Sequence, residues 1–168
     1  MTILISPATV DQLSAIHAVI ERAYRGDSAR LGWTHEADLI EEPRTDLATL
    51  ASIIGDPDQV LLIAEQRGVT VGCVNVVNRG GGVAYLGLLC IEPLRQAGGL
   101  GRRLIAAAEV HARTVFGCTR IEMTVIEARR ELIEYYLRRG YAETGERRDF
   151  PIALDPPLFM TVLAKPLI

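Results

Sequence analysis

One segment limits the possible folds of this 168-residue chain more than any other: a glycine-rich stretch between a strand and a helix. It runs from Pro93 to Leu104 and reads PLRQAGGLGRRL. The run Ala84–Ile91 before it is apolar, which is typical of a buried strand, and Leu100–Val115 after it repeats apolar residues at helical spacing. Such a turn presents unpaired backbone N–H groups at the positive end of the helix dipole. The sequence therefore predicts a phosphate or pyrophosphate site here.

The glycine spacing separates this segment from the common nucleotide-binding loops. Gly98, Gly99 and Gly101 form neither G-x-G-x-x-G nor G-x-x-x-x-G-K-[ST], and no Lys-Ser or Lys-Thr pair follows to hold magnesium. The hexapeptide Gln96–Gly101 (QAGGLG) instead resembles Q/R-x-x-G-x-G/A, the acetyl-CoA loop of the GCN5-related N-acetyltransferase (GNAT) superfamily. An ordinary glycine-containing helix start is the alternative interpretation of these six residues.

Composition narrows the class of protein. The chain suits one domain spanning 1–168, and hydrophobic residues make up 49% of it, which is typical of a globular protein. A net charge of −3 argues against nucleic-acid binding, and no apolar run approaches the ~20 residues of a membrane span. Cys73, Cys90 and Cys118 are expected to be buried free thiols. No metal site and a cytoplasmic location are expected.

Periodicity and turn signals predict the order β-α-α-β-β-β-α-β-α-β-β. Hairpin strands followed by a strand–helix–strand unit imply a mixed sheet of about seven strands with helices on both faces, an α/β/α sandwich. The first helix is predicted to give way at Arg25 to a loop or broken helix ending at Thr45. In the third helix, the predicted apolar stripe contains Leu100, Leu104, Ala108 and Val115. This order is similar to that of the GNAT fold along nearly the whole chain.

A second motif lies near the C-terminal end of the last predicted helix. Tyr136 stands four residues before Gly140-Tyr141, as in the GNAT superfamily, where that tyrosine lies close to the thioester sulfur. A phenol holds its proton at neutral pH and can donate it to a leaving thiolate. The resemblance implies that Tyr136 is the general acid, and a merely packed aromatic residue is the alternative. Where the superfamily often has an asparagine at the helix start, this chain has Arg129.

The resemblance also implies the residues that bind acetyl-CoA. In the superfamily the fourth strand is bulged and its free backbone groups pair with the pantetheine arm, with one N–H serving as oxyanion donor. Cys90 is expected to be a small buried residue rather than a nucleophile, since the superfamily transfers acyl groups directly. The implied cofactor-binding residues are Leu89, Cys90, Ile91, Gln96, Ala97, Gly98, Gly99, Leu100, Gly101 and Arg102.

Two carboxylates are candidates for the general base. Glu92 follows the fourth strand and can act directly or through water. Glu122 lies in the middle of the next predicted strand, Arg120–Ile126, where burial on both faces is expected to favour a proton-accepting carboxylate. The alternative for Glu122 is that its part of the strand is solvated or ion-paired.

Acceptor selection in the superfamily comes from two segments, which here are Arg25–Thr45 and roughly Arg147–Leu158. The residues predicted to contact the substrate are Tyr24, Trp33, His35 and Glu36. Acidic side chains are suited to bind an amine, and Trp33 is suited to stack on a flat or cationic group. The alternative for Trp33 is that it anchors the loop in the core.

These observations predict an acetyl-CoA-dependent N-acetyltransferase that acts on a primary amine of a small molecule. A protein N-terminus or lysine is the nearest alternative acceptor. A CoA-binding sensor or interaction module without catalysis, and a nucleotide-binding α/β protein, are alternatives of other classes. No nucleic-acid or membrane partner is expected, and a homodimer is left open.

Overall fold

The structure is a computed structural model that describes residues 2–30, 45–93, 98–151, 153 and 155–168; for residues 24–30 it describes the backbone alone. Within that part of the chain, seven strands and four helices follow the predicted order. They are β1 (Ile3–Pro7), a 3-10 turn (Val10–Gln12), α1 (Leu13–Arg30), α2 (Leu47–Gly55), β2 (Gln59–Gln66), β3 (Val69–Asn78), β4 (Val83–Ile91), α3 (Leu100–Thr114), β5 (Arg120–Ile126), α4 (Arg130–Arg138), β6 (Ala142–Asp149) and β7 (Phe159–Pro166).

The strands form one mixed sheet in the order β1-β2-β3-β4-β5-β7-β6. The pair β4 and β5 is parallel, with Val83–Tyr85 beside Arg120–Glu122, whereas β1–β2, β2–β3, β5–β7 and β6–β7 are antiparallel. A parallel neighbour requires a crossover, which α3 supplies between β4 and β5. The predicted fold class, a mixed seven-stranded sheet with helices, is confirmed.

Contacts divide the chain into two compact units, Met1–Val77 with Leu88–Ala108 and Asn78–Gly87 with Glu109–Ile168. The first unit has a core in which the apolar face of α1 packs with α2 and with inner residues of β2, β3 and β4. Its members are Ile16, Ile20, Ala23, Leu50, Ile53, Leu61, Ile63, Cys73 and Cys90. Asp46 is the N-terminal cap of α2, because its carboxylate accepts the Thr49 N–H at 2.7 Å.

In the first unit, β3 and β4 approach α3 closely at Gly72. A β-carbon there would lie 3.0 Å from the Cys90 carbonyl oxygen and 3.1 Å from Leu104 Cδ1. Glycine is therefore the residue that lets this part of α3 lie against the sheet.

In the second unit, β5 lies between β4 and β7. Ile121, Met123 and Val125 are buried on one face of β5, and Glu122 and Thr124 are half-buried on the other. Ile133 and Tyr136 of α4 are buried, as is Tyr141, which follows the helix.

One sequence prediction about the helices is wrong, and another is tested in part. The chain remains helical through Arg30, so the segment from Arg25 to Thr45, predicted as a loop or broken helix, begins with the last residues of α1; Gly26 is tolerated there because one glycine costs a helix only about 1 kcal/mol. Val115 is 63% exposed, because α3 ends at Thr114 and the buried stripe continues through Ala112 instead. The three cysteines are buried free thiols, as predicted. Among the helices of the described residues, none is long and apolar enough to cross a membrane.

Candidate functional site

Strand β4 is irregular at the position where the sequence predicts the pantetheine contact. Leu88 has a left-handed backbone, with φ of +49°. Its carbonyl oxygen lies 3.5 Å from Cys73 Sγ, within the first unit. A left-handed residue interrupts the pleat and turns the following peptide groups, which is the effect of a bulge. The residues predicted to contact pantetheine, Leu89, Cys90 and Ile91, directly follow this irregularity. Leu89 and Ile91 are half-buried, and Cys90 is buried.

The start of α3 has the geometry that an anionic phosphate group requires. Gly99 has φ of +75°, and its carbonyl accepts the Arg103 N–H at 3.2 Å. The N–H groups of Leu100, Gly101 and Arg102 therefore belong to the first turn, where a helix offers its amides no partner. Leu100 and Gly101 are buried, whereas Gly98 and Arg102 are exposed. This start fits a pyrophosphate; Gln96 and Ala97 lie outside the described residues.

Glu92, the first candidate base, is held by an arginine of α1. Arg22 Nε donates to both carboxylate oxygens at 3.0 Å, and Arg22 Nη2 donates to Oε2 at 2.5 Å. The pKa of Arg22 is raised, chiefly by the hydrogen bonds that its guanidinium donates to the Glu92 carboxylate. A carboxylate has about four acceptor positions; within the part of the chain that the structure describes, Arg22 occupies three of them and leaves one for water. This geometry weakens the prediction of Glu92 as a direct base and leaves action through water open.

Tyr136, the predicted acid, is fixed by the end of α4. Gly140 has φ of +97° and its N–H donates to Leu137 O, while the Tyr141 N–H donates back to Tyr136 O at 3.2 Å. These two bonds form a Schellman motif, for which a residue without a β-carbon is preferred at the left-handed position. The Tyr136 ring is buried and packs edge to face on Tyr135 and Tyr141, with centroids 5.4 and 6.1 Å away.

A polar cluster behind Tyr136 holds the Tyr141 ring in place. The Tyr141 hydroxyl donates to Glu109 Oε2 at 2.9 Å, and Lys165 Nζ donates to Glu109 Oε1 at 3.0 Å and to Arg139 O at 2.8 Å. Burial, with the nearby Glu109 charge, raises the pKa of Tyr141 far above its usual value. Tyr141 therefore stays protonated and continues to donate to Glu109.

Glu122, the second candidate base, is ion-paired within the second unit. Its carboxylate lies 3.4 Å from Arg120 Nε and 3.6 Å from Arg148 Nη2. The face of β5 that bears it is only half-buried, so burial on both faces, on which its predicted role as base depended, is not found. The ion-paired alternative describes what the structure shows, and the catalytic role stays a prediction.

The predicted acceptor residues fall largely outside the described part of the chain. Trp33, His35 and Glu36 lie in 31–44, and Tyr24 is described by its backbone in α1 alone. Among the described residues, no group of three or more histidine, cysteine or acidic side chains could hold a metal ion.

Comparison with known proteins indicates the family of the chain. The acetyltransferase (GNAT) family profile matches residues 18–141. A curated relative, an IAA acetyltransferase of Azospirillum brasilense, is 32% identical over 102 residues, and the match covers 60% of this chain and 63% of the relative. Two solved structures share the fold. One is the PaiA N-acetyltransferase of Thermoplasma acidophilum in complex with coenzyme A, with 15% identity, a TM-score of 0.79 and 99% of both chains covered. The other is a chimera of spermidine N-acetyltransferase SpeG from Vibrio cholerae and hSSAT, with 16% identity, a TM-score of 0.75, and 99% and 96% of the two chains covered.

Proposed function

Because this chain belongs to the acetyltransferase (GNAT) family, we propose that it transfers the acetyl group of acetyl-CoA directly to a primary amine of a small molecule. The start of α3 carries the proposal. Gly99 is left-handed and the first-turn amides follow a strand–loop segment, which is how a helix binds a pyrophosphate. The PaiA structure, which shares this fold, contains coenzyme A.

The transfer forms a carbon–nitrogen bond and breaks the carbon–sulfur bond of the thioester within one ternary complex. The negative charge that develops on the carbonyl oxygen needs a backbone donor, and we assign that task to an N–H of Leu89 or Cys90. The left-handed turn at Leu88 supports the assignment, because it re-aims the peptide groups that follow it.

The proton balance requires an acid for the thiolate and a base for the amine. We assign the acid to Tyr136, because its ring is buried and held by neighbours on two sides, as a fixed proton donor must be. For the base we retain Glu92 acting through one water, since among the described side chains Arg22 alone contacts its carboxylate and leaves one acceptor position. The three buried thiols agree with a reducing compartment, and we propose a cytoplasmic location.

The experiment is a thiol-release assay with acetyl-CoA and a panel of polyamines, amino acids, aminoglycosides and short peptides. The proposal expects CoA release that depends on a small amine, with the acetylated amine detected by mass spectrometry. Release with peptides alone would transfer the proposal to a protein acceptor. Binding of acetyl-CoA without any turnover would favour a sensor.

A further inference from the structure

Two cysteines of the first unit lie opposite each other on neighbouring strands. The strands β3 and β4 are adjacent in the sheet and joined by a short turn, so they are antiparallel. The Glu92 N–H donates to Val71 O at 2.8 Å, which places these two residues directly opposite each other. Two positions further into each strand, the opposite residues are Cys73 and Cys90. Opposite residues in such a hydrogen-bonded register have Cα atoms about 5.5 Å apart, a separation that a disulfide can span.

The side chains of these two cysteines also meet. Both belong to the core that faces α1 and α2, so they lie on the same face of the sheet. A side-chain hydrogen bond with Cys90, together with burial, raises the pKa of the Cys73 thiol well above its usual value. Cys73 Sγ also lies 3.5 Å from Leu88 O, at the irregular position of β4. The first unit therefore holds two hydrogen-bonded thiols beside the backbone that is predicted to contact pantetheine.

The two thiols differ in their access to solvent. Cys73 is fully buried, whereas Cys90 keeps 9% of its surface exposed. Because Cys73 is also held as a protonated thiol, Cys90 is the sulfur that an oxidant meets first. Burial slows the reaction and selects a small, uncharged oxidant such as hydrogen peroxide, so we expect oxidation over minutes to hours.

We propose that Cys73 and Cys90 form an oxidisable pair, which a hydroperoxide closes to a disulfide that weakens the binding of acetyl-CoA. The Cys90 sulfur takes one oxygen atom from the hydroperoxide and becomes a sulfenic acid, while the rest of the oxidant leaves as an alcohol, or as water from hydrogen peroxide. The Cys73 sulfur then forms the sulfur–sulfur bond and displaces the hydroxyl group, which leaves with the Cys73 proton as water. Small thiols reverse the reaction by reducing the disulfide.

The effect on acetyl-CoA follows from the distance that a disulfide requires. Opposite β-carbons of paired strands are about 4.5–5.5 Å apart, whereas those of a disulfide are about 3.8 Å apart. Closure therefore draws Cys90 towards β3 by about 1 Å and moves the peptide groups on both sides of it. Those groups include the N–H donors of Leu89 and Cys90, so this effect rests on the proposed function. In a reducing compartment such a disulfide is transient, as expected of a redox sensor.

Peptide mapping tests for the disulfide directly, because trypsin separates the three cysteines. Cleavage after arginine places Cys73 in residues 68–79, Cys90 in residues 80–95 and Cys118 in residues 114–120. The wild-type protein is treated with hydrogen peroxide, its remaining thiols are alkylated, and it is digested without a reductant. The first two peptides are expected to be joined, with a mass lower than their sum by two hydrogen atoms, and Cys118 to be alkylated.

Calorimetric titration tests the effect on acetyl-CoA. The oxidised wild type is expected to bind acetyl-CoA at least about tenfold more weakly than the reduced protein, and dithiothreitol to restore the affinity. Cys73→Ser retains a hydroxyl donor for Leu88 O but cannot form the disulfide, so it is expected to keep its affinity through the same treatment. Cys118→Ser, which removes a buried thiol of the second unit, is the matched control and is expected to respond as the wild type does.

Three results would overturn the proposal: three alkylated cysteines after oxidation, a disulfide that includes Cys118, or equal acetyl-CoA affinity of the oxidised and reduced wild type. Absence of acetyl-CoA binding by the reduced protein would count against the proposed function as well. The peptide map requires neither binding nor turnover, so failure of the disulfide and failure of the acetyl transfer are distinguished.

Discussion

The cluster behind Tyr136 allows a quantitative prediction. Tyr141→Phe removes the hydroxyl that donates to Glu109 at 2.9 Å but keeps the ring that packs on Tyr136. Glu109 retains Lys165 as a partner, so we expect a loss of about 1.5 kcal/mol, at the low end for a hydrogen bond to a charged group. For a domain of this size that corresponds to a fall in Tm of about 3–6 °C.

Glu109→Ala is expected to cost more, about 3 kcal/mol, because it leaves the buried Tyr141 hydroxyl without its acceptor and the Lys165 ammonium without its carboxylate partner, with the Arg139 carbonyl oxygen as the remaining acceptor. The double variant with Tyr141→Phe is expected to cost about 3 kcal/mol as well, since the hydroxyl is then no longer left unpaired. Urea unfolding of the four proteins measures the coupling, expected near 1.5 kcal/mol. Glu134→Ala, at an exposed site on α4, is the control. Additive costs, or a Glu109→Ala loss no larger than that of the control, would refute this reasoning.

Three further predictions follow from the geometry. Gly72→Ala is expected to destabilise the protein by about 1–3 kcal/mol in urea unfolding, because the new methyl group lies 3.0 Å from the Cys90 carbonyl oxygen, which cannot move aside. A variant as stable as the wild type would contradict this close packing. Burial raises the pKa of Tyr141, so its contribution to the free energy of unfolding is complete below about pH 10, the pKa of tyrosine in the unfolded chain, and is lost progressively above it. Above pH 10 the stability of the wild type should therefore fall more steeply than that of Tyr141→Phe, by about 1.4 kcal/mol per pH unit. Parallel curves for the two proteins would be evidence against a buried, protonated phenol. Tyr136→Phe is expected to lower kcat with little change in acetyl-CoA affinity, and unchanged kinetics across the pH range would exclude Tyr136 as the acid.

The fold was predictable because its signals are local. Asp46 is a capping residue before an apolar helix, and the alternation of β5 from Arg120 to Ile126 is visible in the sequence. The error at Val115 arose because its spacing fits the stripe of α3, although the helix stops before it. The position at which α1 ends was harder to predict, because Gly26 is a poor helix residue yet lies inside the helix.

The electrostatic surroundings of the candidate residues were not predictable in the same way. Arg22 and Glu92 are 70 positions apart, and Glu109 and Lys165 are 56 apart, so no sequence pattern marks them as partners. The left-handed backbone of Leu88 has no signal either, because leucine rarely adopts it. Family resemblance suggested candidate positions for binding the donor, but the arginine that engages Glu92 became evident only from the fold.

The central claim is that the loop before α3 binds the pyrophosphate of acetyl-CoA. Calorimetric titration of the wild-type protein and of Gly99→Val, whose β-branched side chain opposes the left-handed backbone at φ of +75°, tests it directly. We predict saturable binding of acetyl-CoA by the wild type, binding at least about tenfold weaker by the variant at a temperature at which both proteins are folded, and no binding of NAD or ATP. Binding of NAD without acetyl-CoA, or equal acetyl-CoA affinity in both proteins, would contradict the claim.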